Sequence, residues 1–361
     1  MARVRSKDVA KRAGVSIATV SHVVNGTRFV SDETRQKVLD AIDALNYRPN
    51  AVARGLVTNL TRKIGLVISE LTPFFTVVAR SVEDEFLSHQ YNIILCDTDE
   101  DPERENDVLH LLATQQIDGL IIAPTGVRSA SLLALAESEV PIVQIDRRSP
   151  GLGTPFVGVN NEEGTYQAIR YLIGLGHKRV ACLIDLDVIS TQQERLNGWK
   201  RALREAQLPV DDDLIVRADP HFYGVPPGAA VSPPATWPAA QRQKMPSAYE
   251  LLQSMLKSAQ RPSAIFVANT QLTLGTLYAF RACGLRCPED ISLVSFDDHD
   301  WAPLFNPPLT VVYQPAYRIG QTAAQLLMKM INGESIEVPS LMPAELIIRA
   351  SCAAPSTDGR K

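Results

Sequence analysis

Between Ser6 and Leu45 the apolar residues recur at helical spacing three times over. Val9, Ala10 and Ala13 make a short stripe that Ser6 can cap and Gly14 can end, since glycine accepts the left-handed backbone of a sharp turn. Ser16 offers a second cap, ahead of Val20, Val23 and Val24 at i, i+3, i+4. A third helix is expected from Ser31, with Asp32 and Glu33 at the positive end of its dipole and a stripe of Val38, Ala41, Ile42 and Leu45. Only about three residues separate the first two helices, the spacing of a helix-turn-helix whose second helix enters the major groove. The residues off its apolar stripe, Ile17, Ala18, Thr19, Ser21, His22 and Asn25, would then face DNA.

From Ile64 onward the period changes. Short apolar runs at Ile64 to Ile68, Ile93 to Cys96, Leu120 to Ala123 and Ile142 to Ile145 alternate with helical faces, one of Phe75, Val78, Val82 and Phe86, another of Val108, Leu111 and Leu112. The alternation resumes at Val180 to Ile184, Ile265 to Val267 and Leu293 to Phe296, and Leu346 to Arg349 is the last expected strand. Apolar strands alternating with helices predict doubly wound parallel sheets. Pro220 to Pro246 breaks the pattern with seven prolines in 27 residues, which no helix or regular ladder accommodates. It is expected to be a surface insert.

Charge sharpens the division. Net charge is −4 over 361 residues, yet residues 1–63 carry twelve Lys/Arg against five Asp/Glu, net +7, leaving −11 for the remainder. A basic head on an acidic body fits an electrostatic contact with DNA made by the head alone. No apolar run reaches the roughly 18 residues of a membrane span, and the N-terminus resembles no secretory signal, so a cytoplasmic location without membrane contact is expected. Five scattered cysteines argue against a disulfide framework, and Cys283 and Cys287 have no second ligand pair for zinc. Asp97, Asp99 and Asp101 open like a calcium loop, but Pro102 and Val108 stand where its glycine and glutamate belong. Asp297, Asp298, His299 and Asp300 at a strand end suit a small-molecule contact better than a metal. Walker A, G-x-S-x-G and H-E-x-x-H motifs are missing, so neither an enzyme nor a resident cofactor is expected.

The run Lys7-Asp8-Val9-Ala10-Lys11-Arg12-Ala13-Gly14-Val15-Ser16, with Ala18-Thr19-Val20-Ser21, Val24-Asn25-Gly26, Val30 to Arg35 and Asn46-Tyr47-Arg48-Pro49-Asn50, resembles the head of the lactose-repressor/purine-repressor (LacI) family. Pro73-Phe74-Phe75, Asp118 to Ile121, Pro141 through Arg147, Leu175 to Arg179, Ser295 to Asp298 and Pro307 to Thr310 extend the resemblance to about Arg349. It implies a helix-turn-helix domain at 1–48, a hinge at 49–60, a two-lobed periplasmic-binding-protein-like domain at 63–350, and a tail at 351–361. Lobe 1 is expected over about 63–160 and 293–320, lobe 2 over about 161–292 and 321–350, with 220–246 as the insert.

The resemblance further implies that Ile17, Ala18 and His22 read base edges, while Ser16, Thr19 and Asn25 set the register on phosphates. Pro49 to Val57 is too short a helix to persist alone and is expected to form on DNA, with Asn50 and Arg54 as further contacts and Leu56 as the minor-groove wedge that the family pushes between bases. Cleft positions fall at Phe74, Phe75, Asp146, Arg195, Asn269 and Asp297, a set suited to a polyhydroxylated ligand. Thr72, Asn160 and Thr270 depart from the residues usual in the family, which leaves ligand identity open. The expected function is a homodimeric repressor of a pseudo-palindromic operator, controlled by a small-molecule effector of sugar or polyol type. A corepressor-dependent regulator binding a nucleobase or other metabolite, and a solute-binding protein without DNA function, are the alternatives.

Overall fold

A computed structural model describes residues 4–25, 28–47, 60–185, 188–218 and 247–356. Asn50, Arg54, Leu56, the rest of the 49–59 hinge segment and the insert 220–246 lie outside the described residues. The chain divides into two compact units, 1–63 with 116–118, and the remainder.

The first unit holds α1 (Ser6–Ala13), α2 (Ile17–Asn25) and α3 (Asp32–Ala44). Its core is six buried side chains, Val9, Ala10, Val20, Val23, Val38 and Ala41, with Val24, Ile42 and Leu45 at its margin. Gly14 turns the chain at φ 67°, and the Ser16 hydroxyl accepts the Thr19 N–H at 3.0 Å, capping α2. The expected cap of α1 is corrected by one residue. Arg5 is the extended N-cap and donates its N–H to the Asp8 carboxylate at 2.9 Å, so Ser6 is already helical.

The second unit begins with β1 (Lys63–Ile68), α4 (Pro73–Ser88), β2 (Asn92–Asp97), α5 (Pro102–Thr114), β3 (Gly119–Ile122), α6 (Ala130–Glu137), β4 (Ile142–Ile145) and β5 (Phe156–Val157). These strands form one sheet in the order β2-β1-β3-β4-β5. Then come α7 (Asn161–Gly174), β6 (Val180–Ile184), α8 (Ser190–Glu205), β7 (Ile215–Arg217), α9 (Ala248–Lys257), β8 (Ala264–Val267) and α10 (Thr270–Cys283). They are followed by β9 (Ser292–Phe296), β10 (Thr310–Tyr313), α11 (Ala316–Ile331) and β11 (Glu345–Ile347). The second sheet runs β11-β10-β9-β8-β6-β7, parallel except for β10 with β11. The inner strands, buried on both faces by helices, are largely apolar, which is why they stood out as short apolar runs, whereas the edge strand β2 is half-exposed, Leu95 by 45%.

The lobe boundaries need correction. Strands β9 and β10 pair in the second sheet, not the first, while α11 packs on the first lobe. There Gly320 lies against Ser81 and Val78 of α4, and Leu327 against Gly119 of β3. The chain therefore crosses between lobes after β5, after β10 and again before β11, where Asn160 and Gly158 exchange backbone hydrogen bonds of 2.9 Å with Met342. On α5 the buried face is Glu105, Leu109 and Leu112, whereas Leu111 is exposed. The tail is tied down at its start: Ser351 is buried, accepts the Leu293 N–H at 2.9 Å and donates its hydroxyl to the Leu293 carbonyl at 2.6 Å.

Candidate functional site

Each sheet points the carboxyl ends of its strands at one cleft, where doubly wound folds collect ligands. Glu70 follows β1, Asp146 and Arg147 follow β4, and Gln314 follows β10. Asp185 follows β6, Asn269 β8 and Asp297 β9. Three helix N-termini complete the walls, that of α10 through its cap Asn269 with Thr270 and Gln271. Thr72 caps α4 through the Phe75 N–H at 3.4 Å and sets Phe74 and Phe75 at the cleft, their rings edge to face at 5.1 Å. The first turns of α8 bring Thr191, Gln192 and Arg195. About 470 Å³ of space among these residues, continuous with solvent, is free of atoms.

All six cleft positions expected from the sequence, Phe74, Phe75, Asp146, Arg195, Asn269 and Asp297, line this space. Asp146 at φ 61° and Asp297 at φ 76° turn into the left-handed region directly after β4 and β9, one in each lobe. Aspartate tolerates that backbone better than most residues, and such strain concentrates at functional sites. Glu70, Glu100, Arg147, Asp185, Gln192 and Gln314 line the cleft too and were not anticipated. The signal was available, since most of these are among the first polar residues after a buried strand. Of the expected acidic cluster only Asp297 reaches the cleft wall. Asp298 is clamped by Arg349 at 2.6 and 2.8 Å, and His299 bonds Thr270 and stacks on Trp301. In the loop that imitated a calcium site, Asp97 accepts the Asp99 N–H at 2.9 Å and Asp101 caps α5.

Charge in the cleft is ordered by hydrogen bonds. Arg147, buried, grips both oxygens of Glu100 at 2.7 and 2.8 Å and Asp146 at 3.1 Å. Burial opposes its charge, but Glu100 and Asp146 more than offset it and hold it protonated. Arg195, 3% exposed, donates to Asn161 Oδ1 at 2.9 Å and to the Ala268 carbonyl, and lies 3.6 Å over the Phe296 ring. Burial pulls its pKa down while Asp297, Asp146 and Asp185 oppose that. Burial raises Asp297, against the pull of Arg195. Asp185 is pushed up to about 7 and Glu70 to about 8, in both cases by burial first and repulsion from Glu100 second.

The first unit presents a second surface. On α2, Val20 and Val23 are buried while Ile17, 53% exposed, and Ala18 face outward; Thr19, Ser21 and His22 are half-buried. The Ser16 and Thr19 hydroxyls bond each other at 2.9 Å. Asn25 ends α2, and its side chain is not among those described.

Residues 7–50 match the family described as bacterial regulatory proteins, lacI family. Residues 61–225 match the periplasmic binding proteins and sugar binding domain of that family, and 169–352 a periplasmic binding protein-like domain. An HTH-type transcriptional repressor PurR of Photobacterium profundum is 36% identical over 96% of this chain and 97% of its own length. The chain belongs to the LacI family. Other members share its architecture along nearly the whole length. The lac repressor dimer bound to operator and the anti-inducer ONPF is 28% identical, with a TM-score of 0.79, covering 98% of this chain and 100% of that one. The transcriptional regulator CelR–cellobiose complex is 29% identical, with a TM-score of 0.69, covering 97% and 100%. As a LacI-family member the chain is a DNA-binding transcriptional repressor by descent, and no helix among the described residues is long and apolar enough to cross a membrane.

Proposed function

We propose that this protein is a homodimeric repressor whose affinity for a pseudo-palindromic operator is set by a small molecule held between the two lobes. One observation carries the reading: charged and amide groups from both sheets, Asp146 from one and Asp185, Arg195, Asn269 and Asp297 from the other, converge on a single cleft. A ligand that touches both lobes has different affinities for their different arrangements, the requirement for shifting a population. Base reading is assigned to Ile17, Ala18 and His22, and phosphate contacts to Ser16, Thr19 and Asn25, with Ser21 also facing DNA. Asn50, Arg54 and Leu56 extend the contact through the hinge, with domain limits at 1–48, 49–60 and 63–350.

For the effector, carboxylates and amides beside the edge-to-face phenylalanines support a sugar or polyol, in keeping with the cellobiose held by the CelR relative. A second reading, a purine-type corepressor, is favoured by the relatives called PurR. Selection of duplex DNA from a random pool by the full chain should enrich an inverted repeat, and a thermal-shift panel of sugars and purines should contain a ligand that changes affinity for it. Failure to enrich any sequence would overturn the DNA-binding half of the reading.

A further inference from the structure

The hydrogen-bond inventory of the cleft is lopsided. Gln192 Nε2 and Asn269 Nδ2 both donate to the same oxygen, Asp185 Oδ2, at 3.0 and 2.7 Å. Gln314 donates to Asp297 at 2.6 Å. Arg147 is committed to Glu100 and Asp146, and Arg195 to Asn161 and Ala268. Protein acceptors thus already hold most of the strong donors. What is left over accepts. Asp185 Oδ1 and Gln192 Oε1 are buried with no hydrogen-bond partner among the described residues, on side chains only 4% and 2% exposed. The Glu70 carboxyl lines the same cleft and is repelled by Asp185. A buried acceptor left unmade is unfavourable unless something else satisfies it.

The formal charges point the same way. Five carboxylates, Glu70, Glu100, Asp146, Asp185 and Asp297, face two guanidinium groups across the cleft. A phosphorylated or carboxylated ligand would meet this field unfavourably. A neutral sugar would satisfy acceptors without balancing charge. A primary ammonium does both, because it brings one positive charge and three N–H donors, the number of acceptor groups that converge here.

We propose that the effector carries a primary ammonium group on a small hydroxylated body, an amino sugar being the simplest example, with the ammonium seated among Asp185, Gln192 and Glu70. This rests on the effector-controlled reading above and narrows it to a cationic ligand. When the cleft is empty, protons held by the raised carboxyls of Asp185 and Glu70 lower the charge that the ammonium would otherwise balance. Binding therefore exchanges those protons for the ammonium.

The test uses the full chain at neutral pH, where an amino sugar still carries its ammonium, with matched probes: glucosamine, galactosamine and mannosamine, the corresponding hexoses, their 6-phosphates, putrescine, hypoxanthine and guanine. At least one amine should raise the melting temperature and, by calorimetry, bind at least about tenfold more tightly than its hydroxyl counterpart. Asp185→Asn and Glu70→Gln should each weaken that amine about tenfold or more. Both variants remove buried charge and so should remain folded, and melting curves without ligand check this. No amine binding up to about 10 mM, or a hexose or purine binding as tightly as every amine, overturns the proposal. Operator titrations with the same probes separate the two claims. A hexose or purine that shifts operator affinity keeps effector control and overturns the cationic ligand. An amine that binds through Asp185 without altering operator affinity supports the site and contradicts effector control.

Discussion

Replacing Arg195 with alanine should unfold the second unit well before it reveals anything about a ligand. The guanidinium is 3% exposed, makes two hydrogen bonds and stacks 3.6 Å over Phe296. It is also the cation that offsets Asp297, Asp146 and Asp185. Breaking a buried ionic arrangement from one side costs about 3–5 kcal/mol, because the remaining charges keep their desolvation penalty and lose their compensation. A loss of that size in urea unfolding is expected, followed by the fluorescence of Trp199, which is buried on α8 one turn beyond Arg195. Adding Asp297→Asn should return about 1–2 kcal/mol, since it removes one stranded charge, and a double-mutant cycle reads that coupling directly. If Arg195→Ala loses less than about 1 kcal/mol, or the two substitutions simply add, the guanidinium is not the counter-charge of the cleft. The expected loss also means that a silent ligand response in Arg195→Ala would not by itself identify a ligand contact.

Gly198→Ala should destabilise by about 1–3 kcal/mol through overpacking, because a Cβ there would meet the Glu162 carbonyl at 2.3 Å where α8 crosses α7; Gly174→Ala, with open space around it, serves as the control in the same melts. The empty protein should lose stability as pH rises from about 4 to about 8. Asp185 and Glu70 have folded pKa values above their unfolded ones, so their contribution is full below the unfolded values and gone above the folded ones. The field they feel comes from Glu100 and Arg147, which act on both, with Arg195 acting on Asp185 and Asp99 on Glu70. Subtracting the melting profile of the Asp185→Asn/Glu70→Gln variant isolates their share from that of His177, whose pKa burial lowers and whose contribution runs the opposite way; a difference that does not change with pH would refute the assignment. On DNA, His22→Ala should change the preferred bases in a selected operator, whereas Arg54→Ala should weaken all sequences alike and reduce the salt slope by about 1.

Periodicity was enough to locate the helix-turn-helix and most strands, because burial on one face or on both writes itself directly into the apolar pattern. Val20, Val23, Val38 and Ala41 form the core that their spacing implied. Pattern alone could not assign β9 and β10 to a sheet, since strand order depends on which edge is free when the chain returns, and no residue records that. The same blindness put residues 321–331, most of α11, in the wrong lobe, although Leu327 packs against Gly119 of β3. Asp146, Arg195, Asn269 and Asp297 were legible through family motifs. Asp185 and Glu70 left a weaker mark, because an acid after an apolar run reads equally well as a solvated loop, and Gln192, in the first turn of α8, left none. Leu111 misled for a different reason: α5 turns Glu105 inward, where it accepts the Thr125 N–H at 2.7 Å, and rotates the apolar face by a residue.

The central claim is that cleft and operator are coupled, and thermodynamic linkage tests it without assuming induction or corepression. Using the ligand found by thermal shift, operator affinity is measured with the cleft empty and saturated, and ligand affinity with and without the selected operator. The account predicts the same factor in both directions, of about 5–150-fold. A factor of one in both titrations, with ligand and operator each bound tightly, would contradict it.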